Sequence, residues 1–229
     1  MKKPLLILLG PTASGKSHLA IELAKALNGE IVSADSMQVY KGMDIGTAKL
    51  ADSERKKIPH HLIDIKNPDE DWSVADFIKE TNTLLEAISK RKKLPIIVGG
   101  TGLYLFSLIE GYAFPVIKAD EELREKLQNE ARTKGNEYLY NKLMEIDPET
   151  AKRLHVNDTK RITRALEVYE LTGKPISAKG EKDPLSKKYN IIIIGLNMNR
   201  EDLYKKIEER IDFMIEKGLI KEVSELKNM

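Results

Sequence analysis

Eight residues, Gly10-Pro11-Thr12-Ala13-Ser14-Gly15-Lys16-Ser17, set two glycines, a lysine and a hydroxyl at the spacing G-x-x-x-x-G-K-[ST] that cradles phosphates. Glycines let the backbone approach an anion, loop N–H groups point at it, and the dipole of a following helix adds favourable potential. Lys16 would reach the terminal phosphate and the Ser17 hydroxyl would hold Mg²⁺. Asp35 is the candidate general base, with the hydroxyls Ser33 and Ser36 close in sequence; its competing role is that of a turn former or helix cap. Thr101 is a weaker candidate whose alternative is a helix N-cap. Arg210 could meet a pyrophosphate with a second guanidinium, or be a surface helix cation. His60-His61 with Asp64 has metal-binding residue types without helical or hairpin ligand spacing, which favours a structural role.

The elements that must position these residues alternate between strand and helix. Leu5 to Leu9 read as a buried strand, and Ser17 to Leu27 carry helical spacing in Leu19, Leu23, Ala26 and Leu27. Asn28-Gly29 closes that helix, and Glu30 to Ser33 read as a second strand. The alternation predicts a parallel sheet with ligands beyond the carboxyl ends of its strands, so Asp35 is expected on the rim that carries the phosphate loop. Met37 to Ala48 read as an irregular loop near that site, and Leu62 to Ile65 as a short strand. Ser73 and Asp76 cap a long helix with an apolar stripe of Phe77, Leu84, Leu85 and Ile88. The cations Lys90 to Lys93 at its end suit the helix dipole. Leu94 to Val98 form the next strand, ending in Gly99-Gly100-Thr101-Gly102. An Asp there would have been the usual Mg²⁺ partner of an ATP hydrolase; its absence counts against a motor ATPase, although Asp64 at the end of His61-Leu62-Ile63 keeps that reading open.

From Lys118 the texture changes to helical periodicity over Asp120 to Arg132, Glu137 to Ile146 and Asp158 to Leu171. In the last of these, Lys160, Arg161 and Arg164 share one face, while Ile162, Leu166 and Tyr169 face inward. Such a face is usually only solvated, but within a phosphate-binding protein it becomes a clamp candidate for a nucleic-acid backbone. Ile191 to Leu196 restore an apolar strand. Glu201 to Lys217 then form an amphipathic helix with Leu203, Ile207, Ile211 and Met214 inward. The expected architecture is an α/β, P-loop NTPase-like core over 1–117 and 190–229, a parallel sheet flanked by helices, with an all-helical insertion over 118–189.

The 229 residues suffice for one core with an inserted subdomain. The net charge of +2 is neutral on the question of nucleic acid. With no cysteine, disulfides, thiolate metal sites and a cysteine nucleophile are excluded. No apolar run approaches the ~18 residues of a membrane span, and a soluble, cytoplasmic monomer is the expectation.

The phosphate loop, Ser33-Ala-Asp-Ser-Met-Gln-Val-Tyr40, Gly42-Met-Asp-Ile-Gly-Thr-Ala-Lys49, Pro59-His-His-Leu-Ile-Asp64, Gly99-Gly-Thr-Gly-Leu-Tyr104 and Arg161-x-x-Arg-Ala-Leu-Glu-Val168 together resemble the bacterial tRNA dimethylallyltransferases. The resemblance covers almost the whole chain. It implies transfer of a dimethylallyl group from dimethylallyl diphosphate to N6 of adenine 37 in tRNAs reading codons that start with U. The loop that elsewhere binds the nucleotide ATP would here bind the donor diphosphate through Gly10 to Ser17, with Mg²⁺ at Ser17. Asp35 would accept the N6 proton, Thr101 would lie beside the reacting centre, and Lys16 and Arg210 would steady the leaving pyrophosphate. Asp35, Ser36, Met37, Gln38, Thr101, Arg124, Lys160, Arg161, Ile162, Thr163 and Arg164 would contact the tRNA anticodon stem-loop. Family members continue past the position of Met229, through a Gly-Tyr-Lys-Glu-like segment and a basic helix.

Two rival readings fit the same residues. In a P-loop nucleotide or small-molecule kinase, Asp35 would serve a hydroxyl, and the insertion would be a lid carrying Arg153, Arg161 and Arg164. A non-catalytic nucleotide switch is the other. Protection by ATP–Mg²⁺ rather than by dimethylallyl diphosphate would mark the kinase.

Overall fold

A computed structural model describes residues 2–112, 119–178 and 182–228. The order is β1 (Lys3–Leu9), α1 (Lys16–Ala26), β2 (Gly29–Ser33), α2 (Asp52–Arg55), β3 (His60–His61), α3 (Val74–Lys90), β4 (Leu94–Gly99) and α4 (Gly102–Glu110). Then come α5 (Glu121–Lys134), α6 (Asn136–Ile146), α7 (Pro148–Ala151) and α8 (Thr159–Thr172). The chain finishes with β5 (Tyr189–Gly195), α9 (Arg200–Glu216) and α10 (Leu219–Leu226). The five strands form one sheet in the order β3-β2-β4-β1-β5, and each neighbouring pair is parallel. This is the P-loop NTPase-like arrangement expected from the alternation.

The central strands read as aliphatic runs because both their faces are covered. Along β1 the burial alternates with the pleat. Leu5 and Ile7 join Phe77, Leu85 and Ile88 of α3 and Tyr104, Leu105 and Leu108 of α4. Leu6 and Leu8 face the other way, onto Ala20, Ile21 and Ala24 of α1. In β4, Ile97 belongs to the first layer and Ile96 and Val98 to the second. The rings of Phe77 and Tyr104 stack with centroids 4.5 Å apart, tying α3 to α4. Truncating a fully buried residue such as Ile97 to alanine would cost about 2–5 kcal/mol.

The chain divides into Met1–Tyr112 with Asp183–Met229, and Ala113–Lys182. The return to the first unit precedes residue 190, because Leu185 and Tyr189 are already buried in the α3–α4 layer. The other end of the expected insertion, at 117/118, lies outside the described residues. Ala113–Lys182 is helical throughout its described elements and has a core of its own, with Leu127, Leu139, Leu143, Ala151, Ile162, Ala165 and Leu166 all buried. Two expectations, for the strand near residue 62 and for the inward face of α9, need correction. The strand near residue 62 is His60–His61, because Leu62 and Asp64 have φ of 61° and 56°, which no strand accommodates. The apolar strand expected over Ile191 to Leu196 is present as β5, at the sheet edge, where Ile192 and Ile193 are 65% and 50% exposed. In α9, Met214 is buried but Ile211 is exposed. Ser73 and Asp76 do form a capping box at the start of α3. Among the described residues, no helix is long and apolar enough to cross a membrane.

Candidate active site

The carboxyl ends of β1, β2 and β4 open onto one cavity of about 500 Å³. Gly10 to Ser17 line it, with Asp35, Gln38, Gly99, Gly100 and Arg210. The loop geometry follows from its glycines. Gly15 is the N-cap of α1 with φ 84°, a left-handed conformation in which other residues are strained. No side chain caps α1, so the first amides of that helix are left for an anion. Across the rim, Gly99 permits close approach, since a Cβ there would lie 2.3 Å from the Ala34 carbonyl oxygen.

Lys16 is half-buried and donates to the Pro11 carbonyl. Burial, then the nearby Arg210, push its pKa below the ordinary lysine value, and Asp35 offsets part of that. Arg210 reaches the loop from α9, its Nη1 donating to Thr12 Oγ1 at 2.9 Å. Two guanidinium- and ammonium-bearing residues from opposite ends of the chain thus converge on one loop, and their mutual repulsion is the electrostatic sign of a site built for an anion.

Asp35 makes the turn weighed for it and also stands at the cavity. Its Oδ1 accepts the N–H groups of Met37 at 2.8 Å and Gln38 at 3.2 Å, which makes the turn after β2. The same side chain lines the cavity. Gln38 is held at both ends of its amide: Ser33 Oγ donates to Oε1 at 3.1 Å, and Nε2 donates to the Thr47 carbonyl at 3.2 Å. Thr101 is the N-cap of α4, but its hydroxyl makes no cap bond, and it is not among the residues lining the cavity. Ser36 is half-buried and Met37 exposed beside the turn.

Sequence reasoning missed Thr47, Leu50, His60 and Ile63 as cavity residues. Their common signal is position: Thr47 and Leu50 precede β3, His60 begins it and Ile63 follows it. Within His60-His61-Leu-Ile-Asp64 the polar groups are largely occupied. His60 Nδ1 lies 2.7 Å from the Ile58 carbonyl oxygen, and His61 pairs with the buried Glu30. Asp64 accepts from Lys49 and Arg55. Among the described residues, no group of three or more His, Cys, Asp or Glu could hold a metal ion.

With this geometry, comparison with known proteins is informative. The family model described as IPP transferase matches residues 38–229. The chain is 53% identical over 223 residues to the tRNA dimethylallyltransferase of Halothermothrix orenii, covering 97% of this chain and 68% of that protein. Its identity to the same-named protein of Carboxydothermus hydrogenoformans is 54% over 230 residues, covering 100% of this chain and 74% of the relative.

The chain belongs to the IPP transferase family.

Solved members agree with the fold. The full-length tRNA isopentenylpyrophosphate transferase of Bacillus halodurans is 45% identical with a TM-score of 0.66, over 99% of this chain and 71% of that one. A eukaryotic dimethylallyltransferase acting on tRNA is 32% identical with a TM-score of 0.81, over 99% of this chain and 56% of that one.

The names of these family members direct attention to the cations of the helical unit. Lys160 and Arg161 are exposed, and among the described residues Arg161 pairs with Asp158, the N-cap of α8, at 2.7 Å. Arg124 and Arg164 are committed differently. Both hold Glu167, which is completely buried: Arg164 Nη1 at 2.6 Å and Arg124 Nε at 2.9 Å. The Asp120 amide adds a third bond at 2.9 Å. Burial alone would raise the Glu167 pKa, but Arg164, the Asp120 amide and Arg124 outweigh it and hold it below the usual carboxylate range. Ile162 and Thr163 leave the set of RNA contacts expected from the sequence. They are 0% and 5% exposed, because α8 turns that face into its own core.

Proposed function

We propose that this chain transfers the dimethylallyl group of dimethylallyl diphosphate to N6 of adenine 37 in tRNAs reading codons that start with U, releasing pyrophosphate. The observation that carries this reading is the convergence of the phosphate loop, Asp35 and Arg210 on one cavity of about 500 Å³, in a chain about half identical to proteins named for that transfer.

The donor diphosphate sits on the amides of Gly10 to Ser17, with Lys16 at its outer phosphate and Arg210 beside Thr12. The adenine N6 lone pair attacks C1 of the dimethylallyl group. The C1–O bond breaks, and its electron pair leaves with the pyrophosphate. Asp35 takes the proton that N6 must lose, using Oδ2, since Oδ1 serves the turn. Charge developing on the leaving group is met by groups already in place, which lowers the barrier without reorganisation. The Ser17 hydroxyl lines the cavity as a hard oxygen donor and would hold Mg²⁺ together with water and diphosphate oxygens, the sparse protein share typical of that ion. When bound, Mg²⁺ neutralises part of the diphosphate charge. The base must leave its stack to be modified, and the exposed Lys160 and Arg161 are the phosphate contacts proposed for holding the anticodon stem-loop. The chain is proposed to act in the cytoplasm, where tRNA is found, and as a monomer.

The test is incubation of the chain with an anticodon stem-loop carrying adenine 37 and radiolabelled dimethylallyl diphosphate. Label in the RNA, lost when adenine 37 is replaced by guanine and unaffected by excess ATP, supports the reading. Unlabelled RNA together with tight ATP–Mg²⁺ binding overturns it in favour of the kinase.

A further inference from the structure

The motif Gly42-Met-Asp-Ile-Gly-Thr-Ala-Lys49 contributes Thr47 and Ala48 to the cavity lining, yet the residue that holds its loop in place comes from the far end of the chain. Glu222 of α10 turns its carboxylate into three consecutive backbone amides. Its Oε2 accepts from Asp44 at 2.9 Å and from Ile45 at 2.7 Å, and its Oε1 accepts from Gly46 at 2.9 Å. Three amides converging on one carboxylate make a charge-assisted set, each bond stronger than a neutral pair.

The contact is a face, not a single point. Leu219, Glu222 and Leu226 are the half-buried residues of α10, one helical stripe at spacings of three and four. A Cβ on Gly46 would stand 3.2 Å from Leu219 Cδ1 and 3.5 Å from Glu222 Oε1, and one on Gly42 would stand 3.8 Å from Leu226 Cδ2. The whole stripe therefore lies on the Gly42–Gly46 turn. That turn leads straight to Thr47, whose carbonyl receives the Gln38 amide, while Gln38 N–H is bonded to Asp35. Fixing 44–46 thus fixes the carbonyl that orients Gln38, beside the proposed base.

We infer that Glu222 is a positioning residue for substrate recognition: it locks the Gly42–Lys49 loop so that Gln38 is presented to the incoming nucleobase, without touching the diphosphate. This rests on the transfer reading above. Among the described residues, no hydrogen bond joins this loop to the donor half of the site, built on β1 and α1, and the set Thr47–Gln38–Asp35 ends on the β2 side, which is why the two halves should respond separately.

The experiment compares wild type with Glu222→Ala, Glu222→Gln and Gly46→Ala by three measurements. These are amide exchange at residues 44–46, affinity for dimethylallyl diphosphate, and KM and kcat with a stem-loop RNA. In Glu222→Ala, exchange at Asp44, Ile45 and Gly46 should rise on the order of tenfold or more, with the amides of β1 and β4 unchanged. KM for RNA should rise by about tenfold, while donor affinity stays within about twofold. Glu222→Gln keeps one acceptor oxygen and its length, and should fall between wild type and alanine. Gly46→Ala sets a methyl 3.2 Å from Leu219 Cδ1 and 3.5 Å from Glu222 Oε1 with Glu222 intact; where exchange at 44–46 shows that it displaces the loop, KM for RNA should rise as in Glu222→Ala, which covers the case in which α10 fails to fold in the alanine variant. Unchanged exchange at 44–46, or equal losses of donor affinity and RNA turnover in both Glu222→Ala and Gly46→Ala, overturns the inference. Wild type that labels no RNA while exchange at 44–46 rises in the variants sinks the transfer reading and leaves the loop contact standing.

Discussion

Replacing Arg210 by alanine separates two consequences of one guanidinium. Arg210 spends one Nη1 donor on Thr12 Oγ1 at 2.9 Å, and the fork has further N–H donors for a leaving group. Loss of one hydrogen bond to a charged group costs about 1.5–3 kcal/mol, which at about 1.4 kcal/mol per decade is roughly a 10- to 150-fold loss of rate. Because Arg210 is only half-buried, the lower end of that range is expected. Rapid-quench single-turnover transfer of labelled dimethylallyl groups measures it. The second consequence concerns Lys16. Burial is the main cause lowering its pKa, Arg210 is the next, and Asp35 opposes both. Deleting Arg210 removes one lowering cause, so the Lys16 pKa rises part of the way back. Donor binding that needs the protonated ammonium is lost as pH rises through that pKa. In Arg210→Ala the alkaline limb of pyrophosphate affinity must therefore move to higher pH, even as affinity at neutral pH falls. Calorimetric titrations with inorganic pyrophosphate across the alkaline range decide the point. A limb at the wild-type pH or below it, with single-turnover rates within twofold of wild type, would refute the convergence of Lys16 and Arg210 on one phosphate group.

Asp35→Asn keeps the oxygen that caps Met37 and Gln38 and removes the base, so single-turnover transfer should drop by about 10²- to 10⁴-fold, with pyrophosphate affinity nearly intact; equal losses in both would reduce Asp35 to a turn former. Lys16→Ala should abolish calorimetrically measurable donor binding, and retention of wild-type affinity would remove Lys16 from the site. Arg161→Ala should weaken stem-loop binding and lower the salt slope by about one unit without changing thermal stability. Arg164→Ala should instead destabilise the helical unit by about 1–3 kcal/mol, since buried Glu167 loses one of two guanidinium partners; calorimetric unfolding that ranks Arg161→Ala as the more damaging would invert that assignment. Because Glu167 is held below its ordinary pKa in the fold, its contribution is present above the unfolded carboxylate pKa and is lost as pH falls through the folded value, so acid should melt the wild-type unit and leave Arg164→Ala less affected.

The sheet was legible because its signals are local. Leu5 to Leu9 is an uninterrupted aliphatic run, Leu94 to Val98 is apolar throughout with one proline, Pro95, and Gly10 to Ser17 state a loop in eight consecutive residues. The short strand at His60–His61 was hidden, since two residues have no period and the positive φ of Leu62 is imposed by tertiary packing in the first core layer. β5 was visible as an apolar run, but its place at the edge, with Ile192 and Ile193 exposed, was not, because strand order is not written in any one segment. In the site, Asp35 was visible as the polar end of a strand, whereas Thr47, Leu50 and Ile63 have no chemistry to announce them. Arg164 shows the opposite failure. Its spacing from Lys160 and Arg161 made one cationic stripe, but Glu167 lies three residues further on, and the sequence does not say that this carboxylate is buried.

The division of labour among these residues explains how one loop can serve different chemistries. What β1 and α1 provide, amides, a lysine and a hydroxyl, recognises phosphates without regard to what is attached to them. Nothing in Gly10 to Ser17 distinguishes a nucleotide from a prenyl diphosphate. Discrimination must come from the side of the cavity built by β2 and the chain after it, where Asp35, Gln38 and Thr47 are tied into one hydrogen-bonded set. A hydroxyl acceptor would need only the carboxylate. A base with both donors and acceptors on its edge needs an amide held in one orientation, and Gln38 is fixed by Ser33 on one side and Thr47 on the other. The specificity of the proposed reaction is thus argued from a glutamine that cannot turn, and a Gln38→Glu change, which reverses one donor while keeping size, should penalise the RNA substrate far more than the diphosphate.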